Sequence, residues 1–400
     1  MHIFYFMQKR FLILLITISS VFFSSCDAVL QNIQKSQQAQ TAANQAAGKA
    51  PKRAYTLTLP ANKDRILPDG FAPGDIMVTN PNPWGIRYKD YIYSDFDITT
   101  EYYKKGAPNW DGSKKDLIMD IITPRNDAER NRPCFVFLFG GGFAGKFDDC
   151  TQEIGKGMAQ KGYVVILADY RVGFKNALLA GQCVGDFNSG MYPAFMRSVQ
   201  DARSLVRYLK ANAEKLGIDR NQIFVSGQSA GALTAIGLGL FDNNNAPKEI
   251  LGQIGGSLDP MNDNMQFNSN VAGIISMAGV VIDPNLVIGK KISTPMNFIH
   301  GTCDELLDMY SGSPFRCADR KTFPIVYGGA AIYEASKLNN NPVSLNMICN
   351  GSHSMSSIGY NNLIELLSEF TYSVIKGNPI TGKKIIPAQK GVCNKPELCK

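Results

Sequence analysis

Apolar side chains in this chain fall into two kinds of stretch, and the two alternate. Nearly unbroken apolar blocks occupy 117–122, 134–139, 163–168, 223–226, 271–277, 296–299 and 343–348, with Asp120 a charged exception. A short continuous block of this kind predicts a strand buried on both faces. Between the blocks, apolar residues recur every three or four positions. Phe195, Met196, Val199, Ala202, Leu205, Val206 and Leu209 make one face of a long amphipathic helix that stops near Gly217. The same period predicts helices over 330–338 and 361–376. Buried strands alternating with helices predict an α/β fold, a mostly parallel sheet covered by helices on both faces.

Two stretches break the alternation. Residues 172–192 and 242–270 are rich in Gly, Asn and Asp with scattered apolar side chains. Long irregular segments within a domain are usually functional loops, so both are expected to form lids over a site. Phe174, Leu178, Leu179 and Met191 in the first, and Ile250, Leu251, Leu258 and Met261 in the second, are expected either to line a pocket or to pack the lid.

The amino-terminal end reads differently. Lys9 and Arg10 precede an apolar run over 11–23, too short to span a bilayer. Ser24 and Ser25 then stand ahead of Cys26. Residues 1–25 therefore read as a secretory signal, and the placement of Cys26 resembles a bacterial lipoprotein signal, which implies lipidation of Cys26. Residues 26–54 are rich in Gln, Ala, Asn and Lys and cannot bury enough surface to fold, so they read as a tether. The folded domain is expected over 55–400. The implied location is the bacterial cell envelope, periplasmic or surface-exposed, with the membrane reached through lipid on Cys26.

A net charge of +7 without basic blocks gives no support to nucleic-acid binding. Nine cysteines suit an exported protein. With only three histidines and no C-x-x-C spacing, neither a metal nor a cofactor is expected. Local spacing suggests bridges Cys303–Cys317 and Cys393–Cys399, with a longer Cys150–Cys183, and leaves Cys134 as a buried thiol.

The candidate chemistry sits at Gly227-Gln228-Ser229-Ala230-Gly231, between the block 223–226 and a helical pattern. Strand, G-x-S-x-G and helix form the turn that exposes a serine nucleophile, with glycines where side chains would collide. A serine needs a base. His2 lies in the signal. His300 abuts the strand 296–299 and reads as structural. His353, in a polar Gly-containing loop after the last strand, reads as the base. Asp304, in the loop after 296–299, reads as the acid that orients it, ahead of Asp283 and Asp308. The order Ser229, Asp304, His353 is the one an elbow-type nucleophile opens. Three glycines, 140–142, follow the strand 134–139 and let main-chain N–H groups approach an oxyanion; the Ala230 N–H is the other donor.

Phe139-Gly140-Gly141-Gly142-Phe143, Asp169-Tyr170-Arg171, Asp201-Ala202-Arg203, Gly217-Ile218-Asp219, the elbow, His300-Gly301-Thr302-Cys303-Asp304 and Gly351-Ser352-His353 together resemble the α/β-hydrolase carboxylesterases, closest to the hormone-sensitive-lipase-like and type-B groups. The resemblance spans about residues 115–376. It implies Ser229, Asp304 and His353 as a triad, and Gly141, Gly142 and Ala230 as the oxyanion hole. Phe139 departs from the histidine of the lipase-like H-G-G-G, and Gln228 from the usual type-B glutamate. The expected substrate is a small-molecule or polymer-borne carboxylic ester. A prolyl-oligopeptidase-type serine peptidase and a non-catalytic binding lipoprotein are the alternatives. The first would need an amino-terminal propeller for which the chain has no room. The second would be expected to lose a triad residue, and none is missing.

Overall fold

The computed structural model describes residues 82–400 apart from 147–150, 178–179, 181–182, 261–262, 318–322, 395 and 400. The signal, Cys26, the tether, Cys150, Leu178, Leu179 and Met261 lie outside the described residues. Among the described residues no helix is long and apolar enough to cross a membrane.

Nine strands form the main sheet: β1 Phe96–Pro108, β2 Lys114–Pro124, β3 Arg132–Leu138, β4 Val164–Ala168, β5 Ile218–Gln228, β6 Gly273–Met277, β7 Met296–Gly301, β8 Val343–Cys349 and β9 Gly382–Pro387. Their spatial order is β1-β2-β4-β3-β5-β6-β7-β8-β9. β2 runs antiparallel to both β1 and β4, and every other neighbour pair is parallel. The apolar blocks of the sequence are the inner strands; β3, β4, β6 and β7 are buried along their whole length. This main sheet, with one antiparallel strand near its edge, is the α/β-hydrolase arrangement.

Five longer helices cover it: α1 Thr151–Gln160, α2 Tyr192–Ala211, α3 Ala230–Leu240, α4 Gly329–Lys337 and α5 Tyr360–Ile375. Ile154 and Met158 of α1 pack with Leu363, Ile364 and Leu367 of α5 on one face. Leu205 and Val206 of α2, Ile236 of α3 and Ile332 of α4 belong to the core of the other. Burial on both faces explains why the inner strands are apolar throughout rather than alternating.

The two irregular segments separate in space. Residues 172–191 follow β4 and enter α2, at the carboxyl edge of the parallel strands. Residues 242–270 follow the far end of α3 and lead into the start of β6, at the amino edge. Gln200 donates to the carbonyls of Ile254 and Ser257. Arg203 holds Asp259 with two bonds of 2.8 and 2.7 Å, and Lys210 reaches Asn268 and Asn270. The second segment is thus strapped along the middle and far end of α2. It is no lid, and Ile250, Leu251 and Leu258 are buried in the core. Composition marked it as irregular; only the direction of α3 decided which edge of the sheet it reached.

Candidate active site

The site is built where β3, β5, β6, β7 and β8 end. Ser229 joins β5 to α3 with φ 53° and ψ −122°, a conformation that costs a non-glycine residue about 1–3 kcal/mol. The surroundings enforce it. The Ser229 N–H donates to the Met277 carbonyl at 2.9 Å, and the Ser229 carbonyl accepts from Leu233 N–H at 3.0 Å. A Cβ on Gly231 would stand 2.1 Å from the Leu138 carbonyl oxygen, and one on Gly227 2.3 Å from the Gly231 carbonyl carbon. The strand, the helix and the loop after β3 can approach only because both residues are glycine.

Asp304 and His353 come together at the ends of β7 and β8, whose register places Gly301 beside Ile348. His353 Nδ1 lies 2.8 Å from Asp304 Oδ2. Asp304 Oδ1 accepts from the main-chain N–H groups of Leu306 and Leu307 at 2.9 and 2.8 Å. With Nδ1 engaged, Nε2 is the ring nitrogen that remains to take a proton. Burial by itself would lower the His353 pKa; the Asp304 carboxylate outweighs it, Glu305 adds to it, and the imidazole stands above the ordinary histidine value. Burial would raise the Asp304 carboxyl, but His353 and His300 hold it well below the usual carboxylate range.

His300 is closer to this chemistry than its position in a strand suggests. Its Nε2 lies 2.9 Å from the Leu307 carbonyl and 3.2 Å from Asp304 Oδ2, while its Nδ1 accepts from Gly329 N–H at 3.3 Å. Nε2–H is therefore the donor, and a second histidine props the carboxylate that holds the first. The i, i+4 spacing of His300 and Asp304 across a strand end was the available signal. Asp283 and Asp308 instead cap turns, accepting main-chain bonds from Asn285 and Tyr310.

The loop after β3 approaches Ser229. A Cβ on Gly140 would meet the Ser229 Cβ at 3.5 Å. Gly141 and Gly142 have φ of 125° and 58°. Tyr170 braces this loop: its hydroxyl donates to the Phe139 carbonyl at 2.7 Å, and its ring stacks on Phe139 with centroids 4.2 Å apart. Next to it, Arg171 Nε bonds both oxygens of Asp201 at 3.0 and 2.9 Å in the buried interior, fixing the start of the segment after β4 to α2. Ala230 opens α3, where the helix N-terminus favours negative charge.

Disulfides cluster on the same edge. They join Cys183 to Cys317, Cys303 to Cys393 and Cys349 to Cys399, and Cys134 is a free buried thiol. The bridges expected from local spacing are replaced. Bridging requires Cα atoms about 4.4–6.8 Å apart, and the sheet brings remote loops to that range: 5.5, 6.2 and 5.3 Å. Two of the three tie the carboxyl-terminal segment to the loops carrying Asp304 and His353. Main-chain bonds from Ala388 to Cys349, Gln389 to Ser357 and Val392 to Asn350 reinforce the tie. Among the described residues no group of His, Cys, Asp or Glu could hold a metal ion.

Residues 119–283 match the BD-FAE family model. Fumonisin B1 esterase from Sphingopyxis macrogoltabida is 28% identical over 168 residues, covering 41% of this chain and 31% of that protein. Acetylcholinesterase from Gallus gallus is 31% identical over 162 residues, covering 38% of this chain and 20% of that protein. The chain thus spans less than a third of either relative's length. Apo Thermogutta terrifontis esterase 2 superposes with a TM-score of 0.47 at 21% identity, over 71% of this chain and 96% of that one. Strand order and elbow give this chain the α/β-hydrolase fold, and over the matched stretch it is similar to esterases.

Proposed function

We propose that the chain hydrolyses carboxylic esters through an acyl-enzyme on Ser229. His353 Nε2 takes the proton from Ser229 Oγ as it attacks the ester carbonyl, and returns it to the leaving alcohol. A water, deprotonated by the same nitrogen, then releases the acid. Asp304 keeps Nδ1–H in place and stabilises the imidazolium. The N–H groups of Gly141, Gly142 and Ala230 receive the oxyanion. The observation that carries this reading is the Asp304–His353 bond at the strand edge that also holds Ser229 in its strained turn. Named esterases among the similar proteins support it.

The test is hydrolysis of p-nitrophenyl esters together with labelling by a serine-directed fluorophosphonate. Ser229→Ala is expected to remove labelling and lower turnover on the order of 10⁴-fold or more. Activity within tenfold of wild type, or turnover of peptide substrates alone, would overturn the proposal. The sequence pattern around Cys26 supports a further part of it: a lipid anchor holding the domain in the bacterial cell envelope by a tether over 26–54. Cys26→Ser should abolish membrane partitioning, and unchanged partitioning would refute the anchor.

A further inference from the structure

Residues 302–317 begin with the Asp304 loop after β7 and bring Phe315 against the oxyanion loop. Within it Phe315 has φ 56° and ψ 17°, and Arg316 follows at φ 58°. Two successive non-glycine residues in the left-handed region, one of them aromatic, are uncommon, so the surroundings must hold them. Three contacts do. The Phe315 N–H donates to the Leu306 carbonyl at 2.8 Å, two residues beyond Asp304. The ring meets Phe323 edge-on, with centroids 6.4 Å apart. Cys317, buried, is bridged to Cys183 of the segment after β4.

The held ring points at the oxyanion loop. A Cβ on Gly142 would lie 3.9 Å from Phe315 Cζ, ordinary van der Waals contact. The tip of a half-buried aromatic ring thus stands against a glycine whose N–H is assigned to the oxyanion. A carbonyl bound at that glycine would have this ring beside it.

We propose that Phe315 is the residue that limits substrate size, bounding the ester substituent that lies beside the oxyanion hole, and that the Cys183–Cys317 bridge keeps it in place. The proposal rests on the reading of Ser229 as an acylated nucleophile. A rigid wall discriminates by fit, and one methylene in such a pocket is worth about 10–200-fold in kcat/KM. Among the described residues of 172–191, Phe174 and Met191 are buried in the core, whereas Phe315 is only half-buried.

The experiment uses purified full-length protein and two ester series, one graded in acyl length and one in alcohol size. Phe315→Ala should raise the long-to-short kcat/KM ratio at least tenfold in one of the series, and that series identifies the side of the scissile bond the ring bounds. Phe315→Leu should give an intermediate shift, which guards against misfolding of the alanine variant. The double variant Cys183→Ser, Cys317→Ser should shift the same ratio in the same direction. Fluorophosphonate titration of each variant reports the nucleophile separately. Full labelling with both ratios within twofold of wild type overturns the role of Phe315. A shift in the Phe315 variants without one in the cysteine variant overturns the role of the bridge. No labelling in the wild type would mean that the nucleophile assignment itself fails.

Discussion

Asp304→Asn is the most informative single change. Asparagine matches the carboxylate in shape but has one acceptor oxygen. The Leu306 and Leu307 N–H groups, at 2.9 and 2.8 Å from Oδ1, demand an oxygen on that side. The amide NH₂ must then face His353 Nδ1 and the His300 Nε2–H. It donates to Nδ1, which forces the His353 proton onto Nε2, the nitrogen that the proposed mechanism uses to accept from Ser229. Against His300 two donors meet. The expected loss in kcat is on the order of 10⁴-fold, the size found when a triad acid becomes an amide, or about 5.4 kcal/mol of transition-state stabilisation.

The fold should survive, because the loop bonds to Oδ1 persist; the lost charge-assisted contacts cost about 1.5–3 kcal/mol. The pH behaviour adds a second reading. On the proposed mechanism neutral His353 is the working form, so wild-type activity should fall as pH drops through a pKa held above the ordinary histidine value. Without the carboxylate, burial dominates and the residual activity should persist to lower pH. Stability follows linkage. His353 contributes at pH below its unfolded pKa and loses this as pH rises through its raised value. Asp304 contributes above the usual carboxylate pKa and loses this as pH falls through its depressed one. The variant's stability deficit should therefore be largest between those limits. The assay is kcat and kcat/KM against pH on a p-nitrophenyl ester, with thermal melts across the same range. His300→Gln, which keeps a donor for Asp304, is the control and should retain activity within about tenfold. Asp304→Asn activity within tenfold of wild type, or an unshifted pH profile, would refute the reasoning.

Removing the two carboxyl-terminal bridges with Cys393→Ser and Cys399→Ser should lower kcat on the order of tenfold or more with little change in KM, since small misplacements of catalytic groups are costly; a lower melting temperature with kcat intact would show the tail only stabilises. Leu251→Ala should destabilise by about 2–5 kcal/mol while leaving acyl preference unchanged, and a changed preference would return the segment 242–270 to the site.

The buried strands and the tight turn at Ser229 were legible along the chain because their causes are local. A strand covered on both faces must be apolar at every position, as β3 and β4 are, and a turn as tight as that at Ser229 must have glycine at 227 and 231. The elements that went unread lack such a signature. β1 and β9 are sheet edges, β9 largely exposed and β1 mostly half-buried, and both carry lysines. α1 contains Gly155 and Gly157, poor helix formers, where a Cβ on Gly157 would strike the Ile364 side chain at 2.4 Å; its packing on α5, not its propensity, secures it. Candidate partners for Ser229 could be ranked from loop position, but their contacts could not. That His300 and His353 share one carboxylate, that Cys183 meets Cys317 across 134 residues, and that 242–270 turns away from the site all depend on which loops the strand order gathers at the carboxyl edge. Periodicity records what each residue faces; strand order and helix direction decide whom it meets.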